Sequence, residues 1–169
     1  MATLMTWFVP APGAERDLLV TTIGALAAAW AAPAFPPHVT IVPMYDSNAA
    51  AAVRTLKSLT AGLRPFEVTF PAFGHEQTYF RSLYLRAAPA APLTAAHEAG
   101  LRDWALQAPP YMPHLSLLYS DLPPEQKEPL LAIRIPLPLT VRFDAAELWI
   151  HDQHGVSGWH PAARLALDS

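Results

Sequence analysis

The sequence predicts one globular unit of mixed helices and strands, arranged as two pseudo-equivalent halves. Three observations predict it. Two strand-like segments, Pro37-His38-Val39-Thr40-Ile41-Val42 and Pro113-His114-Leu115-Ser116-Leu117-Leu118, share the frame proline, histidine, apolar, hydroxyl, apolar, apolar, with their histidines 76 positions apart (114 − 38). Helix- and strand-like stretches precede each copy in similar order, as in a degenerate duplication rather than a short-period array. The 169 residues, 52% of them apolar, suffice for one domain with a substantial core.

The elements follow in order. Leu4 to Val9 reads as a strand closed by Pro10-Ala11-Pro12-Gly13. Glu15 to Trp30 reads as a helix, with Leu18, Leu19, Ile23, Leu26 and Trp30 at helical spacing and acids in the first turn. A proline-punctuated loop, Ala31 to Pro37, leads into the first repeat. Asn48 is positioned to cap a helix running to about Thr60. Phe66 to Phe73 and Tyr79 to Leu85 read as strands joined through Gly74-His75-Glu76-Gln77, and Thr94 to Gln107 as a helix. The second repeat follows Ala108 to Pro113. Pro123-Pro124-Glu125 opens a shorter helix, and Leu137 to Trp149 and Ala162 to Leu167 supply further strands.

Composition narrows the function. Charged residues are only 15% of the chain and the net charge is −3, which argues against a broad basic surface for long nucleic acid but not against a local anion site. The absence of cysteine removes disulfides, thiolate metal sites and a cysteine nucleophile. The first residues lack a charged leader pattern, and no apolar run approaches a membrane span. A soluble, cytoplasmic protein is expected.

In an extended chain alternate side chains share a face. Val39 and Ile41 can therefore enter a core while His38 and Thr40 face the other way, and the same holds for Leu115 and Leu117 against His114 and Ser116. Imidazole titrates closest to neutrality, so one copy can be neutral while the other is protonated. Opening a cyclic phosphate needs both forms. A base takes a proton from the attacking water, and an acid protonates the departing ribose oxygen. Thr40 and Ser116 would donate hydrogen bonds to nonbridging oxygens, where charge grows in the transition state. One His-x-Thr alone is more often structural; two copies in one frame favour a site.

These residues resemble the 2H phosphoesterase superfamily, defined by paired His-x-Thr/Ser motifs. Within it, Tyr111-Met112-Pro113-His114-Leu115-Ser116-Leu117-Leu118-Tyr119 is similar to the second motif of the cyclic phosphodiesterase branch known from plants and yeast. Trp7-Phe8-Val9-Pro10, Pro37-His38-Val39-Thr40 and Phe80-Arg81-Ser82-Leu83-Tyr84-Leu85 extend the similarity to nearly the whole chain. The resemblance implies a single 2H phosphoesterase domain over 1–169 with a two-lobed α+β fold. Each lobe carries an antiparallel-rich sheet with outer helices, and a cleft between the sheets holds both motifs. It implies His38 and His114 as the acid–base pair, His38 as acid and His114 as base by motif order. It implies Thr40 and Ser116 as phosphate binders, and Trp7, Phe80 and Tyr119 as aromatic supports for the nucleoside, with stacking tolerant of any base. Arg81 replaces a commonly neutral residue and reads as an ordinary surface charge.

The implied activity is metal-independent hydrolysis of nucleoside 2′,3′-cyclic phosphates, or of ADP-ribose 1″,2″-cyclic phosphate, with no cofactor and no metal site. Alternatives are RNA end processing, as in the bacterial 2′,5′ RNA ligase group, and a nucleotide-binding module without turnover. The expected partner is a small nucleotide or an RNA 3′ end bearing a cyclic phosphate, with no membrane, no DNA and a monomeric state. Other histidines offer less. His151-Asp152-Gln153-His154 with His160 lacks the helical spacing of a zinc site and reads as solvated loop, His75-Glu76 as a hairpin connection, and His97 as a surface residue.

Overall fold

The computed structural model describes residues 1–127, 135–152 and 154–168. Among these residues are eight strands and four α-helices, in the order β1 (Ala2–Pro10), α1 (Ala14–Ala29), β2 (Val39–Ser47), α2 (Ala49–Thr60), β3 (Phe66–Phe70), β4 (Ala72–Gly74), β5 (Leu83–Arg86), α3 (Ala91–Asp103), β6 (His114–Leu118), α4 (Pro124–Lys127), β7 (Leu139–His151) and β8 (His160–Ala166). Helix α4 ends at the edge of the described residues, and the expected continuation of that helix lies outside them. Among the described residues no helix is long and apolar enough to cross a membrane.

Among the described residues all pairings are antiparallel, in the order β3-β7-β1-β2-β6-β5-β4, with β8 on β7. The α+β class with outer helices therefore holds. The strands of the two halves run on as one curled sheet, and they meet at a single residue pair, Val39 with Leu115. Each half contributes an antiparallel strand–helix–strand unit: β1-α1-β2 carries the first motif and β5-α3-β6 the second. The helices are exchanged. Helix α1 packs on β6, the second motif's strand, and α3 packs on β2, the first motif's.

Local chemistry explains the elements. Asn48 caps α2, its side-chain oxygen accepting from the backbone N–H of Ala50 at 3.0 Å and of Ala51 at 3.2 Å. Glu15 and Asp17 lie in the first turn of α1, where they complement the helix dipole. On β1 the alternation is strict: Leu4 and Phe8 enter the main core under the helices, whereas Met5, Trp7 and Val9 join Ala145 and Trp149 of β7 in a second cluster on the opposite face. Between them Thr6 is fully buried, and its hydroxyl accepts from the Val42 N–H at 3.1 Å where the β1–β2 register shifts. A polar side chain thus satisfies the backbone group that the irregularity would otherwise orphan.

Two expected strands break up: Phe66 to Phe73 divides into β3, paired with β7, and β4, paired with β5. Tyr79–Arg81 is a 3-10 turn rather than the start of β5. The turn is set by distant partners: the Phe80 carbonyl accepts from the Ser116 hydroxyl, the Tyr79 carbonyl from the Ser120 N–H, and the Arg81 carbonyl from the Glu76 N–H.

Candidate active site

Val39 and Leu115 are the residues between histidine and hydroxyl in their respective motifs, and they are each other's partners across the seam. That one pairing sets the two motifs side by side. With Val39 and Leu115 buried in the main core, the adjacent residues turn to the other face. His38, Thr40, His114 and Ser116 accordingly line one cavity of about 270 Å³, together with Trp7, Phe80 and Tyr119.

The two imidazoles are held alike. His38 Nδ1 lies 2.8 Å from the Pro36 carbonyl oxygen, and His114 Nδ1 lies 2.9 Å from that of Met112. Each ring donates Nδ1–H to the carbonyl two residues before it, across a proline with no N–H of its own to compete, which leaves the ring's lone pair on Nε2. The Tyr119 hydroxyl stands 3.4 Å from His38 Nε2 and donates toward it. Burial raises the Tyr119 pKa, so this hydroxyl keeps its proton.

The aromatic neighbours are also matched by register. Trp7 pairs with Thr40 on β1–β2, and Tyr84 pairs with Ser116 on β5–β6. Trp7 stacks on His38 with ring centroids 3.6 Å apart and planes 9° apart, while Tyr84 meets His114 edge-on at 5.2 Å. A Cβ on Gly74 would sit 2.5 Å from the Tyr84 ring, so glycine is needed on β4 to admit it.

The two histidines differ in their surroundings. His38 is 4% exposed, and burial, partly opposed by the Pro36 carbonyl and reinforced by His114, lowers its pKa to about 3. His114 is half-buried. Burial lowers its pKa too, the Met112 carbonyl raises it, the Arg81 guanidinium lowers it and the Glu76 carboxylate raises it. The depressed His38 value has a consequence for stability. Unfolding restores a pKa near 6.5, so the unfolded chain binds the extra proton between about pH 6.5 and pH 3, and stability falls as pH drops through that window. At pH 4.5 the loss from this one group is on the order of 2–3 kcal/mol. Urea unfolding of wild type and His38→Gln at pH 7 and pH 4.5 measures it, and equal pH slopes for the two proteins would show that His38 is not desolvated.

Two expected site residues have partners of their own, and one expectation needs correction. Trp7 is only 1% exposed, sandwiched between His38 and Trp149 at 4.6 Å, so it backs the His38 ring and offers little free surface. Ser116 is buried and its hydroxyl donates to the Phe80 carbonyl at 2.9 Å, so that proton is already committed inside the protein. His97 is not on the surface: it is 5% exposed, its Nδ1 bonds the Ile41 carbonyl at 2.6 Å, and its ring stacks on Tyr111 at 4.0 Å. Tyr111 in turn donates to the Thr40 carbonyl at 2.7 Å, tying the loop before the second motif to the strand of the first.

Two other expected residues lie at the cavity. Phe80 is 38% exposed, and Tyr119 lies just past the end of β6, which frees its side chain to turn toward His38. Trp159, Arg81, His97 and Tyr111 also line the cavity, and the motif spacing does not single them out. Trp159 packs nearly parallel to Phe80 at 5.9 Å and also approaches Tyr119. The histidine-rich segment folds locally, with Asp152 accepting from the His154 N–H at 2.8 Å. Among the described residues no group of three or more His, Cys, Asp or Glu side chains clusters as a metal site.

Residues 9–155 match the family model described as the 2′-5′ RNA ligase superfamily. The chain belongs to this superfamily, the 2H phosphoesterases. It is 30% identical over 105 residues to a cyclic phosphodiesterase of Arabidopsis thaliana, a stretch covering 62% of this chain and 58% of that protein. Solved structures share the fold of this 2H phosphoesterase end to end. E. coli LigT complexed with 3′-AMP is 19% identical at TM-score 0.64, with 99% of each chain covered. A Thermus thermophilus protein, TT0787, is 14% identical at TM-score 0.65, covering 98% of this chain and 97% of that one.

Proposed function

We propose that this 2H phosphoesterase hydrolyses nucleoside 2′,3′-cyclic phosphates, or ADP-ribose 1″,2″-cyclic phosphate, to phosphomonoesters through its two histidines, without a metal. One observation carries the reading: two imidazoles, each anchored to a backbone carbonyl through Nδ1, line the same small cavity. Water loses a proton to one Nε2 as its oxygen bonds to phosphorus. The bond from phosphorus to one ribose oxygen breaks, and that oxygen takes a proton from the other Nε2, so the pair exchanges roles by the end of the turnover.

Burial supports one assignment of the two rings. His38, the more strongly desolvated, favours the unprotonated form and the role of base. His114 is less deeply buried and takes the role of acid, with Glu76 favouring its protonated form against burial and Arg81. This reverses the order expected from the motifs. Thr40, a hydroxyl lining the same cavity, is the proposed donor to the phosphate.

A mononucleotide fits this site better than an extended RNA. The cavity lies at the small end of ligand-pocket volumes, and among the described residues Arg81 is the single arginine or lysine lining it. The test is incubation with the four nucleoside 2′,3′-cyclic phosphates and a cyclic-ended oligoribonucleotide, with and without EDTA. Turnover of the mononucleotides with shallow salt dependence and no effect of chelation is expected. Exclusive turnover of the oligonucleotide would transfer the protein to RNA end processing. Activity lost on chelation and restored by a divalent ion would overturn the metal-independent mechanism.

A further inference from the structure

We propose that Arg81 is the phosphate-binding cation of this site, exchanging its carboxylate partner Glu76 for the nonbridging oxygens of the incoming phosphodiester. The inference rests on the proposed hydrolase and names a residue that its motifs leave out.

Charge points to this residue first. The proposed substrate is an anion, and among the described residues lining the cavity Arg81 is the one permanent cation. The neighbouring hydroxyl points the same way. Ser116, expected to bind phosphate, spends its proton on the Phe80 carbonyl at 2.9 Å. The same bond ties residue 80, and with it Arg81, to the second motif, and Arg81 and Ser116 line the same cavity.

Arg81 is built into place rather than loose on the surface. Its backbone carbonyl accepts from the Glu76 N–H at 2.9 Å, and its Nη2 lies 2.9 Å from Glu76 Oε2. Glu76 is fixed in turn: its Oε1 accepts from the Tyr84 hydroxyl at 3.3 Å, and its backbone carbonyl accepts from Lys127 Nζ at 2.5 Å. The carboxylate is thus a parked counter-ion. The Arg81 side chain is 40% exposed and that of Glu76 33%, and an ion pair this open to water is weak. A guanidinium matches a phosphate with two parallel, charge-assisted bonds, which favours the exchange.

The pair also brackets His114. Arg81 and Glu76 act on its ring with opposite sign, while Tyr84 and Arg86 on β5 and His38 across the seam are the other titratable or charged groups around it. Displacing Arg81 onto the substrate therefore changes the field at the acid when substrate binds.

The experiment uses the full chain and the variants Arg81→Gln, Arg81→Lys and Glu76→Gln. Calorimetry with inorganic phosphate and NMR titration of the His114 ring read the effect without relying on turnover. Arg81→Gln is expected to weaken phosphate at least tenfold, raise KM for a cyclic nucleotide, and move the His114 titration to higher pH. Arg81→Lys should recover part of the affinity. Glu76→Gln should tighten phosphate several-fold and move His114 to lower pH. Wild-type phosphate affinity in Arg81→Gln, or weaker phosphate binding in Glu76→Gln, would overturn the proposal. If wild type turns over no cyclic phosphate yet binds inorganic phosphate through Arg81, the hydrolase reading fails and the Arg81 assignment stands.

Discussion

Replacing either His38 or His114 with alanine is expected to lower kcat on nucleoside 2′,3′-cyclic phosphates by about 10²- to 10⁴-fold, the range of general acid–base catalysis. KM should move little, because Thr40 and Arg81, the proposed phosphate-binding groups, remain. The double variant should be no worse than about tenfold below either single one, since the two rings act as a unit and removing one idles the other. The variants should unfold as wild type does for His114, which is half-buried, and somewhat more easily for His38, whose removal leaves a void beside Trp7 and takes the acceptor from the Tyr119 hydroxyl. Steady-state kinetics with urea unfolding separates the two effects. Wild-type kcat in either single variant would remove that histidine from the reaction.

Trp7→Ala has the second largest expected effect, and its character follows from burial. A nucleobase platform would show itself as a raised KM with the fold intact. Trp7, however, lies between His38 and Trp149 with almost no exposed surface. Truncation should cost about 3–5 kcal/mol of stability, as for large aromatics removed from a core. It should also lower kcat by on the order of 10²-fold, because the His38 ring loses the plane that orients it. Trp7→Phe should preserve most of both. Urea unfolding and kinetics at saturating substrate check this, and a stable Trp7→Ala protein with unchanged kcat and raised KM would return Trp7 to the role of base support.

Much of the site is readable in the sequence because its signals are local. The proline–histidine–apolar–hydroxyl frame states which side of a strand each group takes, and both histidines and both hydroxyls line the cavity as that alternation requires. Asn48 is readable for the same reason, since a cap acts within three residues. The remainder depends on partners far along the chain. Spacing puts Trp7 on the site's face but says nothing of His38 stacking on it from the neighbouring strand. The serine hydroxyl at position 116 reads as free because its acceptor, the Phe80 carbonyl, lies 36 residues away in a turn with no period of its own. His97 does carry a local signal: Leu93, Ala96 and Gly100 share the buried face of α3 with it, a helical pattern that the charged neighbour Glu98 outweighs. Tyr84 carries one too, standing 77 positions after Trp7 (84 − 7), once the duplication is followed back from the motifs to the strands beside them.

The single ladder contact between Val39 and Leu115 relates the two motifs by an approximate local twofold axis. A frame so nearly even-handed cannot by itself distinguish donor from recipient, yet the proposed hydrolysis has a direction. The bias therefore comes from what the two sides do not share: an indole face against a phenol edge, a threonine against a committed serine, an enclosed ring against one within reach of a guanidinium and its carboxylate. In this architecture polarity is carried by the surroundings of the imidazoles, which leaves the direction of bond cleavage open to change while the matched motifs stay as they are.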